Sequence, residues 1–132
     1  MSAGIAFARE AEAVADALAR YFDGLHHSDV SLLAQVFHPQ AHYFSASDGH
    51  LLHLDMAQYF PIVAARPSPA SQGHARTDRI VSLELAGPVT ALAKVTCSIP
   101  PKAFIDFLTL VKLDGQWRIV SKVFHHHPMG AT

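Results

Sequence analysis

The chain has 132 residues, 50% of them hydrophobic and 16% charged, a balance that can build one core and excludes a disordered tail. A chain of this length hides about two-thirds of its extended surface on folding, so neither disulfides nor a structural metal are needed to hold it together. Ten Lys and Arg against eleven Asp and Glu give a formal charge of −1, which supplies no electrostatic reason to bind nucleic acid or anionic lipid. Ten histidines are the outlier: protonating all of them carries the formal charge from −1 to +9, around a typical imidazole pKa of about 6.5.

Cys97 is the single cysteine, so no intrachain disulfide can form. Arg9, Glu10, Glu12 and Asp16 interrupt the segment where a signal peptide needs an apolar run, and no stretch approaches the roughly 20 apolar residues of a membrane span. A soluble cytoplasmic protein without a membrane partner is expected.

Residues 5–26 read as an amphipathic helix, with Phe7, Ala11, Val14, Leu18, Tyr21, Phe22 and Leu25 recurring at three- and four-residue steps. Ser28 or Asp29 can cap a second, short helix that buries Val30, Leu33 and Phe37 and stops at Pro39. Residues 41–53 form a hairpin around Ser47, Asp48 and Gly49. Asp55 and Gln58 resemble a capping box for a third helix, which Pro61 should kink before the Pro-Ser-Pro segment at 67–69 ends it. Beyond residue 74, ARTDRIVSLEL, VTALAKVTCSI, AFIDFLTLVKL and WRIVSKVFHHH are separated by Gly87-Pro88, Pro100-Pro101 and Asp114-Gly115, the signature of an antiparallel meander. Three helices followed by strands predict one α+β domain over residues 1–132, with helices on one face of the sheet.

Side chains alternate across a sheet, so parity sorts the last two strands. One face carries Asp106, Lys112, Arg118 and Lys122. The other carries Ile105, Phe107, Thr109, Val111, Leu113, Trp117, Ile119, Ser121, Val123 and His125, and this more apolar set is expected to face the helices. Leu108, Leu110, Val120 and Phe124 then sit among charges on the outer face, which suggests homodimerisation through the sheet; a bulged strand returning some of them to the core is the alternative. The inward polar groups are Cys97, Thr109, Ser121 and His125, with no carboxylate, which describes a mostly apolar pocket with a few hydrogen-bonding anchors. Acid–base work would fall on His125, on His42 or His53 from the hairpin, or on Asp106 if a bulge reverses its face.

The segments RYFDGLHHSDVSLLAQVFHPQAHYF and DFLTLVKLDGQWRIVSKVFH give the chain its family likeness. With them it resembles the NTF2-like superfamily, the cystatin-like cone of three N-terminal helices on a curved antiparallel sheet shared by SnoaL-like cyclases, ketosteroid isomerases and scytalone dehydratases. The ending DGxWxIVxKVFH is similar to a bacterial group named "putative lumazine-binding". The matched positions are mostly packing and capping residues, so the resemblance implies a fold and not an activity. Against the isomerases it places Tyr21 at a catalytic tyrosine, Ser45 at the carboxylate base and Thr109 at a second, protonated acid. A serine with its ordinary pKa cannot remove a carbon acid's proton unaided, which disfavours ketosteroid-type isomerisation.

The histidines do not converge on a metal by spacing. His125 and His127 share a strand face, but His50 and His53 fall on opposite faces, His26 and His27 diverge on a helix, and Pro39 separates His38 from His42. Cys97 reads as an inert core thiol, Trp117 as packed on the first helix, and no phosphate loop or nucleophile elbow occurs. The reading is therefore a domain that binds a small molecule of unknown identity, without cofactor or metal, between sheet and helices. Its walls are Tyr21, Phe37, Phe44, Phe60, Phe107, Thr109, Trp117, Ser121 and His125. The alternative is a lyase, isomerase or hydratase using Tyr21 with His42 or His125, and a third is an assembly module whose interior is filled.

Overall fold

The computed structural model describes residues 3–130 and places three helices on a six-stranded sheet. Helix α1 (Ala3–His26) buries Val14, Ala17, Leu18, Tyr21, Phe22 and Leu25, whereas Phe7 of the expected stripe is 52% exposed and Ala11 half-buried; Arg9, Glu12, Asp16 and Arg20 stay in solvent. Asp29 caps α2 (Val30–Val36) by accepting the Leu32 N–H at 3.2 Å. That helix ends three residues before Pro39, because the residue before a proline prefers extended backbone, and Phe37 already opens strand β1 (Phe37–Ser45). Where α1 and α2 meet, a Cβ on Gly24 would stand 2.6 Å from Leu33 Cδ2, so this crossing requires a residue without a side chain.

Strand β2 (Leu52–Asp55) pairs antiparallel with β1 and leads into α3 (Met56–Ala65). The capping box is present: the Gln58 N–H donates to Asp55 Oδ1 at 2.8 Å, and the Asp55 N–H donates to Gln58 Oε1 at 2.9 Å. Helix α3 runs across Pro61 to Ala65, since the missing N–H forfeits one helical bond while the exposed ring projects into solvent.

Strands β3 (Arg79–Leu85), β4 (Thr90–Ile99), β5 (Lys102–Leu113) and β6 (Gln116–Pro128) form the expected meander. Asp114 and Gly115 both take positive φ, 51° and 76°, the mirror-image two-residue turn whose twist suits a hairpin. The full order is β2-β1-β6-β5-β4-β3, and β1 runs parallel to β6, so the sheet is mixed rather than wholly antiparallel.

The inward face differs from the parity reading. Ala91, Ala93 and Val95 lie opposite Leu110, Leu108 and Asp106, and all six are buried beneath the helices. In β6, Ser121 pairs with Thr109 but Ile119 pairs with Leu110, so Val120 is an extra, bulged residue. Trp117 and Ile119 face the helices before the bulge, and Lys122 and Phe124 face them after it. The expected inner residues Phe107 and Val123 are instead 49% and 46% exposed. The expected dimer residues Leu108, Leu110 and Phe124 belong to the buried side, and Val120 sits half-buried at the bulge. Counting apolar residues misassigned β5 because both of its inward charges have partners: Asp106 is described below, and Lys112 donates to Glu10 Oε1 at 2.8 Å.

Glu10 also accepts the Trp117 indole N–H, through Oε2 at 2.9 Å, which ties the β5–β6 end of the sheet to α1. The Lys112 and Trp117 hydrogen bonds hold the Glu10 carboxyl below its ordinary pKa. Gly24→Ala is expected to destabilise the protein by about 1–2 kcal/mol in urea unfolding. Pushing Leu33 out of its rotamer outweighs the roughly 1 kcal/mol of helix propensity gained.

Candidate functional site

Three elements bring three polar side chains into the apolar interior. Tyr21, on the buried stripe of α1, donates its hydroxyl proton to Asp106 Oδ2 of β5 at 2.7 Å. Lys122, turned inward by the bulge in β6, holds Nζ 4.0 Å from the same oxygen. Asp106 is 0% and Lys122 3% exposed. The remaining carboxylate oxygen, Asp106 Oδ1, is buried with no hydrogen-bond partner.

Sheet register supplies the walls. Tyr43 lies opposite Lys122 across β1 and β6, and Phe124 lies opposite Asp106 across β6 and β5. The ammonium stands 5.1 to 6.0 Å from the ring centres of Tyr21, Tyr43, Tyr59, Phe104 and Phe124. Ring faces carry negative charge density, so this cage stabilises a buried cation.

Burial is the largest single influence and favours neutral lysine, but the facing Asp106 carboxylate, with Tyr59, Tyr43 and Cys97 adding to it, raises the Lys122 pKa above its ordinary value. The ammonium therefore persists through neutral pH. Burial first, and the Asp106 charge second, push the Tyr21 hydroxyl well above its ordinary range, so it remains a neutral donor. Burial likewise lifts the Cys97 thiol to about 12, with Asp106 contributing, and removes it as a nucleophile at neutral pH.

A pocket of about 330 Å³ opens beside this cage, at the end of the sheet where β4 turns into β5. Its wall includes Tyr43, Phe104 and Phe124, three of the rings around Lys122, together with Arg66, Lys102 and His126. Asp106 itself does not line this pocket. A larger groove of about 580 Å³ between α1 and the β5–β6 turn is lined by Asp16, Arg20, Gln35 and Arg118 and touches none of the cage residues.

The expected walls do not form one pocket. Tyr21 is in the cage, Phe37 packs edge-on against Tyr21, Tyr59 and Phe60 within the core, and Trp117 is held by Glu10. Phe107, Thr109, Ser121 and His125 lie on the outer face, where Thr109 bonds Ser121 and His125 bonds Ser47 Oγ at 2.7 Å. Phe44 is on that face too, stacked on His53, and His42 Nδ1 stands 2.6 Å from His53 Nε2. The histidines expected as acid–base partners of Tyr21 thus point away from it. Ser45 is buried, with its hydroxyl engaged by Ser47. The interior carboxylate is at Asp106, three residues before the Thr109 position at which the isomerase resemblance sought an acid. Its signal in the sequence is the apolar run Phe104, Leu108 and Leu110 at the same parity. Parity already groups Lys122 with Asp106 but does not say that this face is the buried one, because the bulge moves Trp117 and Ile119 onto it.

A family profile described as "Putative lumazine-binding" matches residues 9–125, a span that includes the whole cage. Aldolase FrzH of Cladobotryum sp is 32% identical over 94 residues, covering 70% of this chain and 71% of that protein. An NTF2-like protein of unknown function from Silicibacter pomeroyi superposes with a TM-score of 0.82 at 22% identity, over 92% of this chain and 98% of its own. A second, from Shewanella baltica, gives 0.81 at 27% identity, over 92% and 97%.

Removing one member of a buried ion pair strands the other, so Lys122→Met is expected to lower stability by about 3–5 kcal/mol in urea unfolding. Adding Asp106→Asn to that variant should recover a large part of the loss, because no uncompensated charge then remains. Additive losses in the double variant would show that the two side chains do not interact.

Proposed function

This chain belongs to the "Putative lumazine-binding" family of NTF2-like proteins, and from that premise we propose that it binds a small carbonyl compound and moves a proton at the carbon beside the carbonyl. The observation that carries the reading is the free oxygen of Asp106, a buried carboxylate oxygen without a partner, beside a fixed cation. Asp106 Oδ1 takes the proton from carbon. The Tyr21 hydroxyl engages Oδ2 and orients the carboxylate, and the Lys122 ammonium faces the oxygen on which the enolate's negative charge develops. The enolate either attacks a second carbonyl carbon, forming a carbon–carbon bond while the carbonyl π bond opens to an alkoxide that takes the proton back from Asp106, or, where a double bond is conjugated with it, is reprotonated by Asp106 at the far carbon of that system. The name of the aldolase relative supports the first course.

Substrate enters through the mouth pocket and reaches the carboxylate when Phe104 and Phe124 swing aside. Binding without chemistry was the expectation while the inner face held no carboxylate, and the inward Asp106 removes its motive. In D2O, a panel of small methyl ketones and aldehydes is expected to exchange protons beside the carbonyl for deuterium faster with the protein than in buffer, as read by NMR. Asp106→Asn should reduce the exchange by about 10²–10⁴-fold. Exchange unaffected by Asp106→Asn would sink the mechanism.

The same proposal includes a homodimer through the outer sheet face, with residues other than those first expected. Phe44, Val123 and Phe107 form a continuous row across β1, β6 and β5, on the face opposite the helices. Such a row is self-complementary about a two-fold axis, which favours a second copy over an unrelated partner. Phe107→Lys is expected to halve the mass in sedimentation analysis, and an unchanged mass would remove this face from the interface.

A further inference from the structure

Arg66 closes α3 and lines the mouth pocket. Its Nε and Nη2 atoms are buried and have no hydrogen-bond partner. These two N–H groups share one edge of the guanidinium plane, the edge that meets a carboxylate side-on with two parallel hydrogen bonds. A permanently charged group with an unpartnered edge, next to an apolar pocket, is poised for an anion.

The surroundings agree in charge and shape. Asp48 is the acidic residue of the pocket wall, and its Oδ1 lies 3.7 Å from His126 Nε2, so that carboxylate is directed at the imidazole. Lys102 adds a second cation to the wall. Tyr43, Phe104 and Phe124 offer ring faces to a flat body, and about 330 Å³ accommodates a single substituted ring.

We infer that the ligand is a small planar carboxylate, seated with its two oxygens on the Nε/Nη2 edge of Arg66 and its body against Tyr43, Phe104 and Phe124. Small rotations about the Arg66 side-chain torsions present the edge to the pocket. The inference rests on the proposed carbonyl chemistry only for orientation: an anion held at the mouth directs the opposite end of the ligand towards Asp106 and Lys122.

Calorimetric titration of the full chain with benzoate, benzamide and phenyl phosphate tests this. Benzoate is expected to bind at least tenfold more tightly than benzamide. Arg66→Met should erase the difference, and Arg66→Lys, which keeps the charge and loses the fork, should retain only part of it. Lys102→Gln should leave most of the preference in place. Equal binding of benzoate and benzamide, no binding of either, a preference that survives Arg66→Met, or tighter binding of phenyl phosphate than of benzoate would each overturn the carboxylate assignment. The same titration on Asp106→Asn separates this inference from the proposed reaction. A benzoate preference there without deuterium exchange in the wild type supports the binding site and rejects the chemistry, whereas exchange of a neutral ketone without a benzoate preference does the reverse.

Discussion

A carboxylate and an ammonium taken out of water together are tolerated only where each is answered at close range, and Asp106 and Lys122 meet that condition through Tyr21 and a ring of aromatic side chains. Much of the architecture follows from it. Helix α1 must pass close enough to β5 for the Tyr21 hydroxyl to reach Oδ2, and β1 must lie beside β6 for Tyr43 to cover the ammonium. The bulge at Val120 is the device that turns Lys122 inward: without it, Trp117 and Ile119 could not share a face with Lys122 and Phe124. Replacement of such a buried pair by well-packed apolar residues is often neutral or stabilising, so the pair is no argument for a more stable core.

The two ends of the sheet divide the work. At the β5–β6 turn, Glu10 gathers Lys112 and Trp117 and fastens α1 to the strands, leaving a polar groove outside the cone. At the other end, the chain leaves an apolar pocket bordered by Arg66 and Lys102, and the aromatic rings behind it are those that surround Lys122.

The histidine surplus has a different place. His42 and His53 face each other on the outer surface, His125 bonds Ser47, and His126 is directed at Asp48 at the pocket edge. Among the described residues no three His, Cys, Asp or Glu side chains converge as a metal site requires.

Local rules made much of the fold legible. The stripe of α1, the Asp29 cap, the Asp55–Gln58 box and the Asp114–Gly115 turn each depend on neighbours within four residues, so periodicity and spacing suffice to find them. The motifs at residues 20–44 and 106–125 pointed to the NTF2-like cone for the same reason, being packing and capping positions. The site was not legible, apart from Tyr21 and the conditional mention of Asp106. A strand's parity says which residues share a face but not which face is buried, and one extra residue at Val120 reverses the answer for everything beyond it. The elements, their order and the superfamily follow from residue order, because local chemistry sets them. That a charged pair lies inside and an apolar row outside follows from long-range contacts, because the partners that make burial of a charge tolerable, Tyr21 for Asp106 and Tyr43 for Lys122, are 85 and 79 positions away along the chain.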